Sequence, residues 1–260
     1  MPLFLIVVLI IIAFVGGICI TTIGPGGIFV TIALFVLADL DPSTVAGTAS
    51  ATFIATGLVG SIAYFRSGEL ANRVAGRAAV LLSAASVVGG FAGSQLNTLL
   101  DARVFGALLG GFVLLTGALV LVRQLRGLEP VAQLDLSKGT SMVWMVVLGV
   151  VVGLHGGLLG VVGPVLAVPL LVLLGVPMLL ALGLAQVQSI FISIFATFGY
   201  ALHGAIDLTL AVLVGVPLLI GTVLGWWIAR RVDPSKLKLF LSIILLLLGA
   251  YLLFGGGTPT

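Results

Sequence analysis

The stretch TTIGPGGIFV, residues 21–30, interrupts an apolar run that begins at Leu3. Gly24, Pro25, Gly26 and Gly27 break the chain, yet Ile28 starts a second apolar run that ends before the acidic residues Asp39 and Asp41. A helix over residues 26–38 rises about 20 Å, whereas a hydrocarbon core is roughly 30 Å thick. One end of this segment must therefore stop inside a membrane. Asp39 and Asp41 mark the outer end, so the buried end is the glycine-rich N-terminus.

Composition supports a membrane setting. Of 260 residues, 61% are hydrophobic and 7% charged, where a soluble domain carries about a quarter charged residues. The single cysteine, Cys19, excludes an internal disulfide, a CxxC redox pair and a cysteine metal cluster. No HExxH pair occurs, and no cofactor is expected. No basic cluster is interleaved with aromatics on a soluble module, so a nucleic-acid partner is not expected either. The net charge of +3 reads as loop charge that sets orientation. Residues 3–22 have no basic residue before them and read as a retained helix rather than a secretory signal.

Apolar runs and breaks predict about ten helices, at 3–22, 26–38, 43–66, 73–97, 102–124, 141–160, 164–176, 178–202, 208–230 and 235–254. The longest polar connection, residues 123–141, divides them into halves that share landmarks in the same order. Gly24-Pro25 recurs as Gly163-Pro164, Tyr64 and Gly68 as Tyr200 and Gly204, and Gly89xxxGly93 as Gly221xxxGly225. The fold expected is an all-α polytopic membrane protein built from two five-helix repeats, 1–125 and 141–260, joined by a cytoplasmic linker at 126–140.

An odd number of helices per repeat implies opposite orientations. With the N-terminus outside, ten of the eleven Lys and Arg residues fall in inner loops and only Arg103 falls outside. Merging each short pair into one crossing would split the same residues six to five. The positive-inside rule selects the inverted arrangement in a prokaryotic cytoplasmic membrane, with both termini outside. It does not distinguish a re-entrant hairpin from two full spans. The small-residue pairs can pack helices within or between subunits, which leaves the oligomeric state open.

Two short helices would then aim their N-termini at a common depth. Helix starts carry free N–H groups and partial positive charge, and opposed half-helices at a repeat interface are the plan of many secondary-transporter sites. The candidate binding residues are Thr21, Thr22, Gly24, Gly26 and Gly27 at the first break and Gly163 at the second. Thr48 and Ser50 in the third segment, and Gln186, Gln188 and Ser189 in the eighth, are polar residues in apolar helices. His155, just before the second break, could donate to an anion, carry a coupling proton or pack as a neutral ring. With no Lys or Arg at a helix centre, the partner expected is a small anion held by dipoles and neutral donors. A cation or neutral solute, or a non-transport scaffold, are the alternatives; Asp39 or Asp207 would matter for the cation.

The residues GGICITTIGPGGIFVTIALFVL (16–37), AGTAS (46–50) and SIAYFRSGEL (61–70) resemble the first repeat of the TauE/SafE sulfite exporter family, also called toluene-sulfonate uptake permeases. GLHGGLLGVVGPVLAVPLLVLLGVP (153–177) and YALHGAID (200–207) resemble its second repeat. The resemblance implies transport of sulfite or small organosulfur anions such as sulfonates, by alternating access and coupled to protons. The first half departs from the family's glycine triplet and following proline, with Gly-Pro-Gly-Gly and Thr31 near the proline's place; the second half keeps Pro169.

Overall fold

The computed structural model describes residues 1–126, 139–161, 164–228 and 234–254. Among these are ten helices: α1 (Leu3–Thr22), α2 (Ile28–Leu37), α3 (Pro42–Arg66), α4 (Arg73–Asn97), α5 (Ala102–Arg126), α6 (Gly139–Leu159), α7 (Pro164–Leu173), α8 (Met178–Ala201), α9 (Leu208–Ile228) and α10 (Pro234–Phe254). No strand occurs among the described residues. Seven of the helices are long and apolar enough to cross a membrane. Large apolar side chains such as Leu3, Phe4, Val80, Leu208 and Leu247 point outward, as expected where lipid replaces water.

Acids and amides set the helix starts. Asp41, Asn72, Asp101 and Asp207 accept from the backbone N–H groups of Thr44, Ala75, Val104 and Leu210, at 2.7 to 3.0 Å. Each satisfies one donor that a helix leaves open at its first turn. Burial acts to raise the Asp41 carboxyl pKa, but hydrogen bonds from Ser43 and Thr44 outweigh it and hold the group below its ordinary value. Of the two loop acids that a cation site would recruit, Asp207 is committed to capping.

The repeat is written in the register of the helices. An offset of 136 residues carries Leu3 to Gly139, Ile28 to Pro164 and Pro42 to Met178, the starts of the first three helices in each unit. Helix α4 is four residues longer than α9, and the offset is 132 at Gly89 and Gly221. This register pairs Gly24 with Gly160, not with the Gly163 of the Gly163-Pro164 dipeptide. Gly24 and Gly160 both have positive φ, 113° and 60°, a conformation glycine adopts without steric cost. The backbone turn, rather than the proline, is the repeated element.

Packing obeys the same exchange. Helix α3 lies against α8 and α5 against α10, while α4 packs on α6 as α9 packs on α1. Gly47 meets Tyr200 and Gly60 meets Gln186, so α3 and its counterpart α8 run antiparallel. Direct antiparallel contact between equivalent helices makes the two units inverted copies. The first and fourth helices are exchanged between units: Gly89 and Gly93 of α4 sit on Val150, Leu154 and Leu158 of α6. In the other pair, Gly221 and Gly225 of α9 sit on Phe14 and Ile18 of α1. Small residues allow this backbone approach.

Candidate functional site

Helix α1 does not continue into α2 as a kinked rod. Gly26 lies against Gly16, Cys19 and Ile20, and Val30 reaches Gly16. Helix α2 therefore folds back along α1 as a re-entrant hairpin. A Cβ on Gly26 would overlap the Gly16 carbonyl oxygen and the Ile20 nitrogen, so the hairpin closes only with glycine there. The whole break, residues 21–28, is buried.

Each break is tied to the helix that follows the hairpin. Tyr64 of α3 donates its hydroxyl to the Thr21 carbonyl at 3.0 Å, and Tyr200 of α8 donates to the Gly157 carbonyl at 2.6 Å. Both bonds span 43 residues and hold the last turn of the first helix in their unit. At the second break, the Val161 N–H bonds the Gly156 carbonyl at 3.1 Å across Gly160, a closure of the Schellman type. At the first, Ile23 and Gly24 both donate to the Cys19 carbonyl, at 3.0 and 3.1 Å.

The two breaks meet at the centre. A Cβ on Gly24 would stand 3.2 Å from the Pro164 carbonyl oxygen, at the start of α7, and 3.7 Å from Leu182 of α8. Thr31 of α2 donates to the Gly160 carbonyl at 2.5 Å, and Gly160 lies on Ala46 of α3. At the start of α2, Phe29 and Val30 donate to the carbonyls of Gly26 and Gly27 at 3.3 and 3.1 Å. No backbone acceptor among the described residues pairs with the N–H groups of Gly27 or Ile28. Buried N–H groups without partners are rare. A helix start of this kind can donate to an acceptor.

The remaining candidates divide into three sets. Thr21 donates to the Thr222 carbonyl, and Thr22 and Ser189 bond carbonyls of their own helices. Their hydroxyl protons are engaged in structure. Thr48 accepts from the Asp207 N–H at 2.9 Å and fastens the loop before α9 to α3. Ser50 is buried one turn after Ala46, the neighbour of the second break.

Gln186 and Gln188 are fully buried, and none of their four amide atoms has a partner. Gln186 lies one turn after Leu182, the neighbour of the first break, and packs on Gly60 of α3. Ile192, one turn after Gln188, meets Gly90 of α4, so Gln188 faces α4. The 136-residue register sets these glutamines opposite Ser50 and Thr52 of the first unit.

His155 is directed elsewhere. Its ring stacks on Phe112 of α5 with centroids 6.0 Å apart, and its Nδ1 lies 2.9 Å from the Val151 carbonyl. The structure does not bring it to the breaks. Gly163 lies outside the described residues. No group of three or more His, Cys, Asp or Glu residues that could hold a metal occurs among the described residues.

Sequence reasoning read Tyr64 and Tyr200 only as repeat markers and noted Thr31 only for standing near a proline's place. A lone hydroxyl on a half-helix, and a tyrosine repeated before a turn glycine, were the available signals.

Residues 9–252 match the family model described as sulfite exporter TauE/SafE. The chain is 26% identical over 236 residues to the probable membrane transporter protein YdhB of Bacillus subtilis (strain 168), covering 90% of this chain and 93% of that protein. It is 28% identical over 220 residues to a probable membrane transporter protein of Xylella fastidiosa (strain 9a5c), covering 82% and 80%. No solved structure matches.

Proposed function

We propose, from the premise that this chain belongs to the sulfite exporter TauE/SafE family, that it moves small sulfur-containing anions, sulfite or organosulfonates, across the cell membrane by alternating access. The protein is a multi-pass membrane transporter; the anion, the proton coupling and the orientation are our reading. The observation that carries it is the buried start of α2, where the Gly27 and Ile28 N–H groups have no backbone acceptor and Gly24 lies beside the start of α7. Helix starts favour negative charge. The lining is neutral, so binding is weak enough for release.

The test is uptake into proteoliposomes of labelled sulfite, methanesulfonate, sulfate and chloride, with and without a pH gradient. Flux of a sulfur oxyanion that responds to the gradient is expected. Clear cation flux with none of any sulfur oxyanion would overturn the proposal.

Orientation has its own measurement. Ser67 and His203 are exposed and stand at equivalent positions in the two units, while Cys19 is buried. Ser67→Cys is expected to label from the cytoplasmic side and His203→Cys from outside. Labelling of both from one side would sink the inverted topology.

A further inference from the structure

The polar groups at the centre include two amides without partners, and an amide both donates and accepts. Leaving a buried amide unpaired is costly, so two such side chains on one helix are open to a ligand that donates and accepts. Gln186 stands one turn from Leu182, which touches Gly24, and against Gly60, one turn from Tyr64. Its amide lies against Gly60, one turn before the Tyr64 that ties α3 to the first break. Its counterpart in the other unit is Ser50, so the amide belongs to one side of the pseudo-symmetric centre only.

Charge is sparse on the described helices around this amide. Helix α7 has no ionisable residue, and α3 has only Tyr64 and the terminal Arg66. Helix α4 has Arg73 and Arg77 at its start, and α6 has His155, which stacks on α5. The phenols of Tyr64 and Tyr200 donate to backbone carbonyls. A dianion entering such a site would lose about four times the Born solvation of a monoanion, since that cost grows as the square of charge, with no cation in return.

We propose, resting on the transporter reading above, that the site takes its oxyanion singly charged and that the coupling proton travels on the substrate as its O–H. The Gly27 and Ile28 N–H groups at the start of α2 and the Gln186 amide nitrogen donate to the anionic oxygens. The Gln186 carbonyl accepts the substrate hydroxyl. The proton enters and leaves as part of the hydrogen sulfite ion, and no side chain of the protein changes its protonation state.

The experiment measures initial flux in proteoliposomes at clamped membrane potential, with rates in protein-free vesicles subtracted. Total sulfite is fixed while pH is stepped upward through its second ionisation. Methanesulfonate, a monoanion throughout, and sulfate, a dianion throughout, are run beside it. Sulfite flux is expected to fall about tenfold per pH unit on the alkaline side, as the monoanion fraction does. Methanesulfonate flux should stay flat and sulfate should not move. The His155→Phe variant should keep the sulfite slope, whatever its rate. Equal pH slopes for methanesulfonate and sulfite would place the proton on a side chain and overturn the inference. Sulfate flux matching hydrogen sulfite would do so as well. Absence of flux for all three would instead remove the transporter reading on which it rests.

Discussion

Gly26→Ala is expected to abolish transport and to cost more than about 4 kcal/mol of stability, a size confined to a few mechanisms. Here the mechanism is backbone overlap. The added methyl would overlap the Gly16 carbonyl oxygen and the Ile20 nitrogen and stand 2.6 Å from the Cys19 Cβ. These are atoms of a helix that cannot rotate away as a side-chain tip would. Helices α1 and α2 must separate, which removes the buried turn that seats the start of α2.

The comparison is Gly76→Ala on α4, where nothing lies within 4 Å of the new methyl. It should be neutral or gain up to about 1 kcal/mol from helix propensity. Thermal unfolding in detergent and flux in proteoliposomes read both. A Gly26→Ala protein that melts with the wild type would refute the tight hairpin.

Gln186→Leu should separate stability from function. Leucine keeps the approximate size while removing an amide that has no partner inside the protein. Replacing an unsatisfied buried polar group by an apolar one of similar shape is neutral or stabilising, so the melting temperature should hold or rise by a few degrees. Transport should fall about a hundredfold, as expected for roughly 3 kcal/mol of lost substrate contact. Gln186→Glu should also lose transport, because a carboxylate there repels the anion. A destabilised Gln186→Leu protein with normal flux would make Gln186 a packing residue.

Much of this molecule is legible without coordinates because membrane helices are punctuated. Pro42, Asn72, Asp101 and Asp207 stand at observed helix starts within a residue or so of the expected ones, since caps and proline act locally. The short segments at 28–37 and 164–173 were foreseeable from length alone. The fold-back of α2 on α1 was not. A kinked pair of full spans and a hairpin place the same charges on the same sides, so loop charge cannot separate them.

Register at the second break follows the described turn at Gly160. Gly163-Pro164 copies the letters of Gly24-Pro25, but the chain turns at Gly160, three residues earlier. Side-chain direction was the least legible property. In α6 nearly every residue is apolar, so no amphipathic stripe reveals that His155 looks toward Phe112 and not toward the breaks. The two glutamines stood out for the opposite reason, as amides in an apolar helix with no nearby charge.

The exchange of first and fourth helices between the units has a consequence for biosynthesis. The glycine face of α1 is covered by α9, and Phe14 meets Gly221, residues made about 200 positions apart. At about 5–20 residues per second, α1 sits in the bilayer for roughly 10–40 s before its partner emerges from the ribosome. It can wait because a helix satisfies its own backbone in lipid. The α2 turn is a different matter: its shelter of α7 and α8 also arrives late. The nascent chain therefore passes through a stage in which the α2 turn lacks the cover it has in the finished fold.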